Sequence, residues 1–196
     1  MRIFCAVELP EDVRARVAAH IARLRAAAAH LPLKISWERA EKLHLTLKFV
    51  GEIEAERIEA LQRAAGRAAG SVERFEARLQ DEGAFPPRGN PRVLWLGLQD
   101  ETDAIARLQE RLEAECAREN FPREARPFHP HITIARIRVP AAAAARHLAK
   151  LHGEMKFEPP ASFNVNDLIV MRSELGAGGS RYTPLSRHEL KAEAGG

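Results

Sequence analysis

The sequence predicts a protein of mixed helices and strands built as two similar lobes, and two observations indicate this. Short apolar strands alternate with amphipathic helices along almost all of the 196-residue chain. The order of strand, helix and then a strand carrying His-x-Thr also occurs twice, first with HLTL at 44–47 and again with HITI at 131–134. A recurrence of this length predicts two related lobes.

The first half opens with a buried strand at 2–9. Pro10 and two acidic residues then start a helix at 10–30, in which apolar residues recur at helical spacing. The other elements predicted here are an extended piece at 34–37, a strand at 43–51 stopped by Gly51, a helix at 54–69, a strand at 75–80 and a turn-rich loop at 83–91.

The second half repeats that order. Its predicted elements are a strand at 92–98, a helix at 101–118, a strand at 131–138, a helix at 141–152 and strands at 162–173 and 181–190. The glycine-rich segment between the last two strands lacks the lysine and spacing of a phosphate-binding P-loop, so it is predicted to be a hairpin turn. Residues 191–196 are expected to form a disordered tail.

Composition places the chain among soluble globular proteins, with 45% hydrophobic and 29% charged residues. No signal peptide or membrane span is recognisable, so a cytoplasmic location is expected. Cys5 and Cys116 have no CxxC spacing and are expected to be free thiols of a reducing compartment. A net charge of +3 permits an anionic substrate without requiring one.

Each His-x-Thr pair places an imidazole beside a hydroxyl on one face of a strand. Successive side chains of a strand point to opposite faces, so His44 shares a face with Thr46, and His131 with Thr133. The aliphatic residues beside them form the opposite, core-facing side. A single histidine on a strand is usually a packed core residue, but two matched pairs indicate a shared function.

Two imidazoles, each beside a hydroxyl, suit acid–base catalysis on a phosphodiester. An ordinary pKa of about 6.5 lets a neutral ring take a proton from water while a protonated ring gives one to a leaving oxygen. Threonine hydroxyls can hydrogen-bond the oxygens of the anion between them. In-line displacement needs groups on roughly opposite sides, which explains why the histidines come from two lobes facing one cleft.

The segments HLTLKFVG and FHPHITIAR, with the opening RIFCAVELP and the strand VLWLGL, resemble the 2H phosphoesterase superfamily. Within it they resemble the RNA 2′,3′-cyclic phosphodiesterases, also described as LigT-like 2′-5′ RNA ligases. The resemblance spans about residues 1–190 and implies a single bilobal α+β domain. In that fold two antiparallel sheets face a central cleft, with helices outside and a pseudo-two-fold duplication.

The resemblance also implies the reaction and its residues. The reaction is metal-independent, cofactor-free hydrolysis of a terminal 2′,3′-cyclic phosphate on RNA to a 2′-phosphomonoester, and the family label also includes ligation of RNA ends through a 2′-5′ bond. His44 would be the general acid and His131 the general base, while Thr46 and Thr133 would bind phosphate oxygens. Arg136 would stabilise the extra negative charge. Since one chain supplies both catalytic halves, a monomer without an obligate protein partner suffices.

Three neighbours of the motifs carry further expectations. Strict alternation puts Arg136 on the face opposite His131, so it reaches the phosphate only if the strand ends, twists or bulges after Ile134. Lys48 falls on the His44 face and is either a solvated strand residue or a positive charge at the cleft rim. Phe128 could stack on a nucleobase.

Two other functions remain open from the sequence. In a metallohydrolase, the His-x-His spacing of His129 and His131 would bind zinc, with His44 completing the site. Against this, Pro130 stiffens the spacing and no carboxylate lies near either motif to orient the rings. A non-catalytic protein that binds RNA ends would keep the cleft, although binding alone does not require a matched acid–base pair.

Overall fold

The secondary structure follows the predicted alternation closely. The computed structural model describes residues 1–139, 141–176 and 179–192. In these ranges the strands and α-helices are, in chain order, β1 (Arg2–Glu8), α1 (Glu11–Ala27), β2 (Lys34–Trp37), β3 (His44–Glu52), α2 (Ile58–Ala69), β4 (Phe75–Phe85), β5 (Val93–Gln99), α3 (Ala104–Arg118), β6 (His131–Val139), α4 (Ala142–Glu154), β7 (Ala161–Val165), β8 (Asp167–Gly176) and β9 (Gly179–Glu189). Short 3-10 turns at Ala40–Lys42 and Ala55–Arg57 precede β3 and α2.

The strands form two antiparallel sheets. One has four strands in the order β3-β1-β8-β9, and the other has five in the order β2-β6-β5-β4-β7. Neighbouring strands in both sheets pair antiparallel. The expected α+β fold with two antiparallel sheets is therefore confirmed. Each motif strand pairs with the strand that opens its half, β3 with β1 and β6 with β5.

The first helix of each half packs on the sheet of the other half. On α3, which follows β5, Glu113 bonds Lys48 of β3 in the four-stranded sheet. On α1, which follows β1, the ring of His20 lies 5.7 Å from that of His152 on α4. His152 in turn bonds the backbone carbonyl of Trp95 in the five-stranded sheet. Each sheet is therefore covered in part by a helix from the other half of the chain.

Two predicted strands differ in extent from those observed. The strand predicted at 75–80 continues to Phe85, into the segment predicted as a loop, because a bulge at Asp81, with a φ of 62°, interrupts the alternation and lets pairing with β5 resume. The strand predicted at 162–173 divides at Asn166 into β7 and β8, which belong to different sheets. No glycine or proline marks that crossing.

The end of the chain is paired beyond the last strand. Lys191, in the expected tail, receives and donates backbone hydrogen bonds with residues 72 and 74. Residues 193–196 of that tail and residues 177–178 of the glycine-rich segment lie outside the described residues. Within the described ranges, no helix is both long and apolar enough to cross a membrane.

The four-stranded sheet buries its two faces differently. Ile3, Cys5 and Val7 of β1 join the main core beneath the helices. Phe4 and Ala6, one step out of phase, face the other way and pack with Ile169, Met171 and Tyr182 in a small separate cluster. The ring of Phe4 in this second cluster packs against His44, one of the two motif histidines.

Candidate active site

The four motif side chains line one cleft. His44 and Thr46 enter it from β3, and His131 and Thr133 enter from β6. Their aliphatic neighbours are buried on the other faces of the strands, as alternation requires. The cleft has a volume of about 860 Å³, larger than a single phosphate group needs. The sequence prediction that both pairs face a common space is thus seen in the structure.

The two imidazoles are held in the same way. Nδ1 of His44 lies 2.7 Å from the backbone carbonyl of Lys42, and Nδ1 of His131 lies 2.7 Å from that of His129. A carbonyl oxygen only accepts, so Nδ1 is the protonated nitrogen in both rings. Each Nε2 is therefore left to exchange protons with a substrate.

Burial lowers the pKa of both imidazoles. For His44, desolvation is the largest cause, the carbonyl of Lys42 opposes it, and the charge of Arg136 lowers the pKa further. For His131, desolvation again leads, opposed by the carbonyl of His129. Both rings are thus readily neutral in the free protein, and an anion bound between them would favour protonation of one.

Aromatic side chains fix each ring on a different side of the cleft. His44 lies 4.9 Å from the ring of Phe4 and 5.3 Å from that of Tyr182, the latter edge-on at 88°. His131 lies 5.0 Å from Phe85 at 83° and 6.2 Å from Trp95. Pairing between β4, β5 and β6 brings Phe85, Trp95 and His131 together.

Both motif strands bulge directly after the threonine. On β3, Thr46 pairs with Ala6 and Lys48 with Cys5, which leaves Leu47 as the extra residue. On β6, the same skip leaves Ile134 as the extra residue before Ala135. A bulge puts two consecutive side chains on the buried side and turns the next one outward. The bulge at Ile134 is the break in alternation that Arg136 needs to face the cleft.

Arg136 consequently lines the cleft with the two histidines. Its side chain is half exposed, and Nε lies 3.8 Å from Oε1 of Glu38. That separation is an ion pair but exceeds a hydrogen bond. The guanidinium is therefore placed beside the cleft without being fully occupied by another side chain.

The bulge also corrects the expectations for Lys48. It is 3% exposed, so it is neither a solvated residue nor a charge at the rim. Nζ donates to both carboxylate oxygens of Glu113 and to the carbonyl of Pro122, each at 2.8 Å. A buried ammonium requires such a set of acceptors. Lys48 thus ties β3 to α3 and to the loop that leads to β6.

Phe49 was missed by sequence reasoning. It follows the bulge on β3 just as Arg136 follows the bulge on β6, and it lines the cleft with 60% of its surface exposed. Aligning HLTLKF with HITIAR would have found it. The duplicated strands thus present a cation from one side and an aromatic ring from the other. Phe128 also lines the cleft.

The zinc alternative required His129 and His131 on one strand face. β6 begins at His131, so His129 precedes the strand, and the two rings lie 6.2 Å apart. Residues 1–139, 141–176 and 179–192 contain no group of three or more histidine, cysteine, aspartate or glutamate side chains that could hold a metal ion. The donor set that a His-x-His site needs is not assembled here.

Comparisons with known proteins agree with this architecture. The profile of the 2′-5′ RNA ligase superfamily matches residues 10–177. An Escherichia coli protein named RNA 2′,3′-cyclic phosphodiesterase is 32% identical over 194 residues, covering 96% of each chain. A Thermus thermophilus protein of the same name is 34% identical over 207 residues, covering 100% of this chain and 93% of its own.

Solved structures show the same similarity. The Thermus thermophilus protein TT0787 superposes with a TM-score of 0.78 at 32% identity, covering 98% of this chain and all of its own. Escherichia coli LigT complexed with 3′-AMP superposes with a TM-score of 0.71 at 31% identity, covering 96% of this chain and 97% of its own.

Proposed function

The chain belongs to the 2′-5′ RNA ligase superfamily, and from that premise we propose that it is an RNA 2′,3′-cyclic phosphodiesterase. The family resemblance noted in the two motifs is thereby confirmed. The observation that carries the proposal is the pair of imidazoles in one cleft, each fixed through Nδ1 and each beside a threonine. Full-length relatives named for this activity support it.

The proposed reaction is an in-line displacement at phosphorus. Nε2 of His131 takes a proton from water, whose oxygen forms the new bond to phosphorus as the bond to the 3′ oxygen breaks. Nε2 of His44 gives its proton to that 3′ oxygen. The products are a 2′-phosphomonoester and a 3′-hydroxyl, and solvent then returns both rings to their starting protonation states.

The other site residues would stabilise the anion. Hydroxyls of Thr46 and Thr133 would donate to the non-bridging oxygens from either side, and Arg136 would offset the added charge. Phe49 and Phe128 offer apolar surfaces on which the terminal base could stack. Because protons and charge are all handled by side chains, the proposed reaction requires no metal ion.

The same site can be used for ligation. If the 5′-hydroxyl of a second RNA replaces water as the attacking group, the displacement forms a 2′-5′ bond. Water is in vast excess over RNA ends, so we expect hydrolysis to dominate.

An RNA oligonucleotide ending in 2′,3′-cyclic phosphate tests the proposal. We expect the purified protein to open the ring and leave the phosphate on the 2′ oxygen, as identified by phosphorus NMR. Binding without turnover would identify an RNA-end binding protein instead. A 3′-phosphate product would show that the acid and base act on the other ester bond.

The pH profile of kcat/KM should peak below about pH 6.5. Activity rises as the base loses its proton and falls as the acid loses its own, and this profile reports the free enzyme. Since burial lowers the pKa of both His44 and His131, the rising and falling sides of the kcat/KM profile both shift to lower pH. The kcat profile should lie at higher pH, because the bound anion favours an imidazolium. A kcat/KM maximum above about pH 7 would be inconsistent with these pKa directions.

Arg136→Ala should lower kcat/KM by about 10²-fold, as expected for the loss of one charged donor to the developing anion. Arg136→Lys should restore only part of the rate, because lysine returns the charge but lacks the planar fork. Arg138→Ala removes the same charge two residues along β6 and serves as the control. Equal rates for the two alanine variants would remove Arg136 from the mechanism.

A further inference from the structure

Glu38 is a carboxylate in the cleft that the proposed reaction does not use, and its position corrects the expectation that no carboxylate lies near either motif. It follows β2 directly, and its backbone N–H donates to the carbonyl of Ile134, the bulged residue of β6, at 2.9 Å. Its side chain lines the cleft and is 23% exposed. Glu38 therefore contacts the surroundings of Arg136 in two ways. Its backbone bonds the bulge that turns Arg136 toward the cleft, and its carboxylate lies 3.8 Å from Nε of Arg136.

The carboxylate of Glu38 lines the cleft near three cations. Burial raises the pKa of this carboxyl, and Arg136, Lys42 and Arg138 oppose the rise without cancelling it. Across the cleft, Glu38 contributes to the raised pKa of Tyr182 on β9, after burial itself. By contrast Glu124, which also lines the cleft, is engaged by hydrogen bonds from Arg126.

A negative charge at this place acts differently on substrate and product. The cyclic diester carries one negative charge, whereas the phosphomonoester carries about two above its second pKa near 6. Repulsion by a fixed carboxylate scales with the charge of the ligand. The product is thus repelled more strongly than the substrate, and Arg136 alone would favour the product.

We propose that Glu38 is a specificity-determining residue that makes the cleft prefer monoanionic phosphodiesters over dianionic phosphomonoesters. It speeds release of the product and keeps RNA ends that already carry a monophosphate from occupying the site. This inference rests on the proposed function, because it assumes that Arg136 binds the phosphate. One guanidinium width separates the two anions, roughly 7 Å. Each extra ligand charge then costs from about threefold in affinity in bulk water to about fiftyfold at a protein surface, or about tenfold between these limits.

Binding constants of a matched ligand pair test the inference. The probes are 3′-deoxyadenosine 2′-phosphate and its methyl ester, which carry about two and one negative charges at about pH 8 and cannot cyclise. Calorimetry would give the ratio of their dissociation constants for each variant. Glu38→Gln should shift that ratio about tenfold toward the phosphomonoester. Glu38→Asp, which keeps the charge, should stay near the wild-type ratio.

Glu41→Gln is the control, since it removes one negative charge on the same segment, from a side chain that pairs with Arg39. It should leave the ratio unchanged. A wild-type ratio in Glu38→Gln, or an equal shift in Glu41→Gln, would overturn the inference even if cyclic phosphate is hydrolysed normally. Failure of the proposed function would instead appear as no turnover of cyclic-phosphate RNA by the wild type.

Discussion

Replacing either His44 or His131 by alanine should lower the rate of cyclic phosphate hydrolysis by roughly 10²- to 10⁴-fold. In the proposed mechanism each ring supplies one of the two proton transfers, so neither can compensate for the other. Each is half-buried and bonds a backbone carbonyl, so thermal unfolding should change little. Single-turnover rates with a cyclic-phosphate oligonucleotide, measured beside melting curves, would show both effects.

His129→Ala is the matched control for these variants. The backbone carbonyl of His129, not its side chain, holds His131, so alanine preserves that contact. We expect its rate to stay within about tenfold of the wild type. If either His44→Ala or His131→Ala retained near wild-type activity, the two-histidine scheme would be wrong. A loss of rate in His129→Ala equal to that in His131→Ala would instead support the zinc alternative.

Lys48→Met should destabilise the protein by about 3–5 kcal/mol, because it leaves the buried carboxylate of Glu113 without its cation. Both charged groups are nearly inaccessible, with exposed side-chain fractions of 2% and 9%. Urea unfolding would measure the change in the free energy of unfolding. The double variant Lys48→Met, Glu113→Leu should recover much of the loss, since no uncompensated charge then remains.

Lys150→Met provides the comparison for that loss. Lys150 pairs with Glu154 along α4, but both side chains are exposed, at 75% and 60%. Exposed pairs at this spacing contribute about 0.3–0.5 kcal/mol. A loss in Lys48→Met as small as the one in Lys150→Met would mean that the buried pair does not stabilise the packing of α3 on β3.

The faces of the motif residues could be predicted because side chains alternate along each strand as far as its bulge. His44, Thr46, His131 and Thr133 needed only the period of two and the recurrence of the motif. The α+β class and the two antiparallel sheets followed from the resemblance and are confirmed. Most strand and helix boundaries agree to within a few residues.

The features that could not be predicted depend on pairing between residues far apart in the chain. Bulges at Leu47 and Ile134 depend on the partner strands β1 and β5, so alternation alone could not orient Lys48 or Phe49. The partner of Lys48 lies 65 residues away on a helix of the other half. Likewise, the crossing at Asn166 between the two sheets carries no local turn signal.

The duplication gives the two imidazoles equivalent backbone partners but different neighbours. Both Nδ1 atoms bond a carbonyl two residues earlier in the chain. The residues after the bulges differ, with Arg136 from one half and Phe49 from the other. The roles of His44 as acid and His131 as base therefore rest on the resemblance, and the position of the product phosphate shows which ester bond the pair breaks.

Turnover by metal-depleted protein tests the two-histidine mechanism most directly. The protein would be dialysed against EDTA and given an RNA oligonucleotide ending in 2′,3′-cyclic phosphate, with EDTA kept in the assay. We expect the full rate of 2′-phosphate formation, unaffected by added Zn²⁺ or Mg²⁺. Loss of activity in EDTA that a divalent ion restores would contradict hydrolysis by His44 and His131 alone.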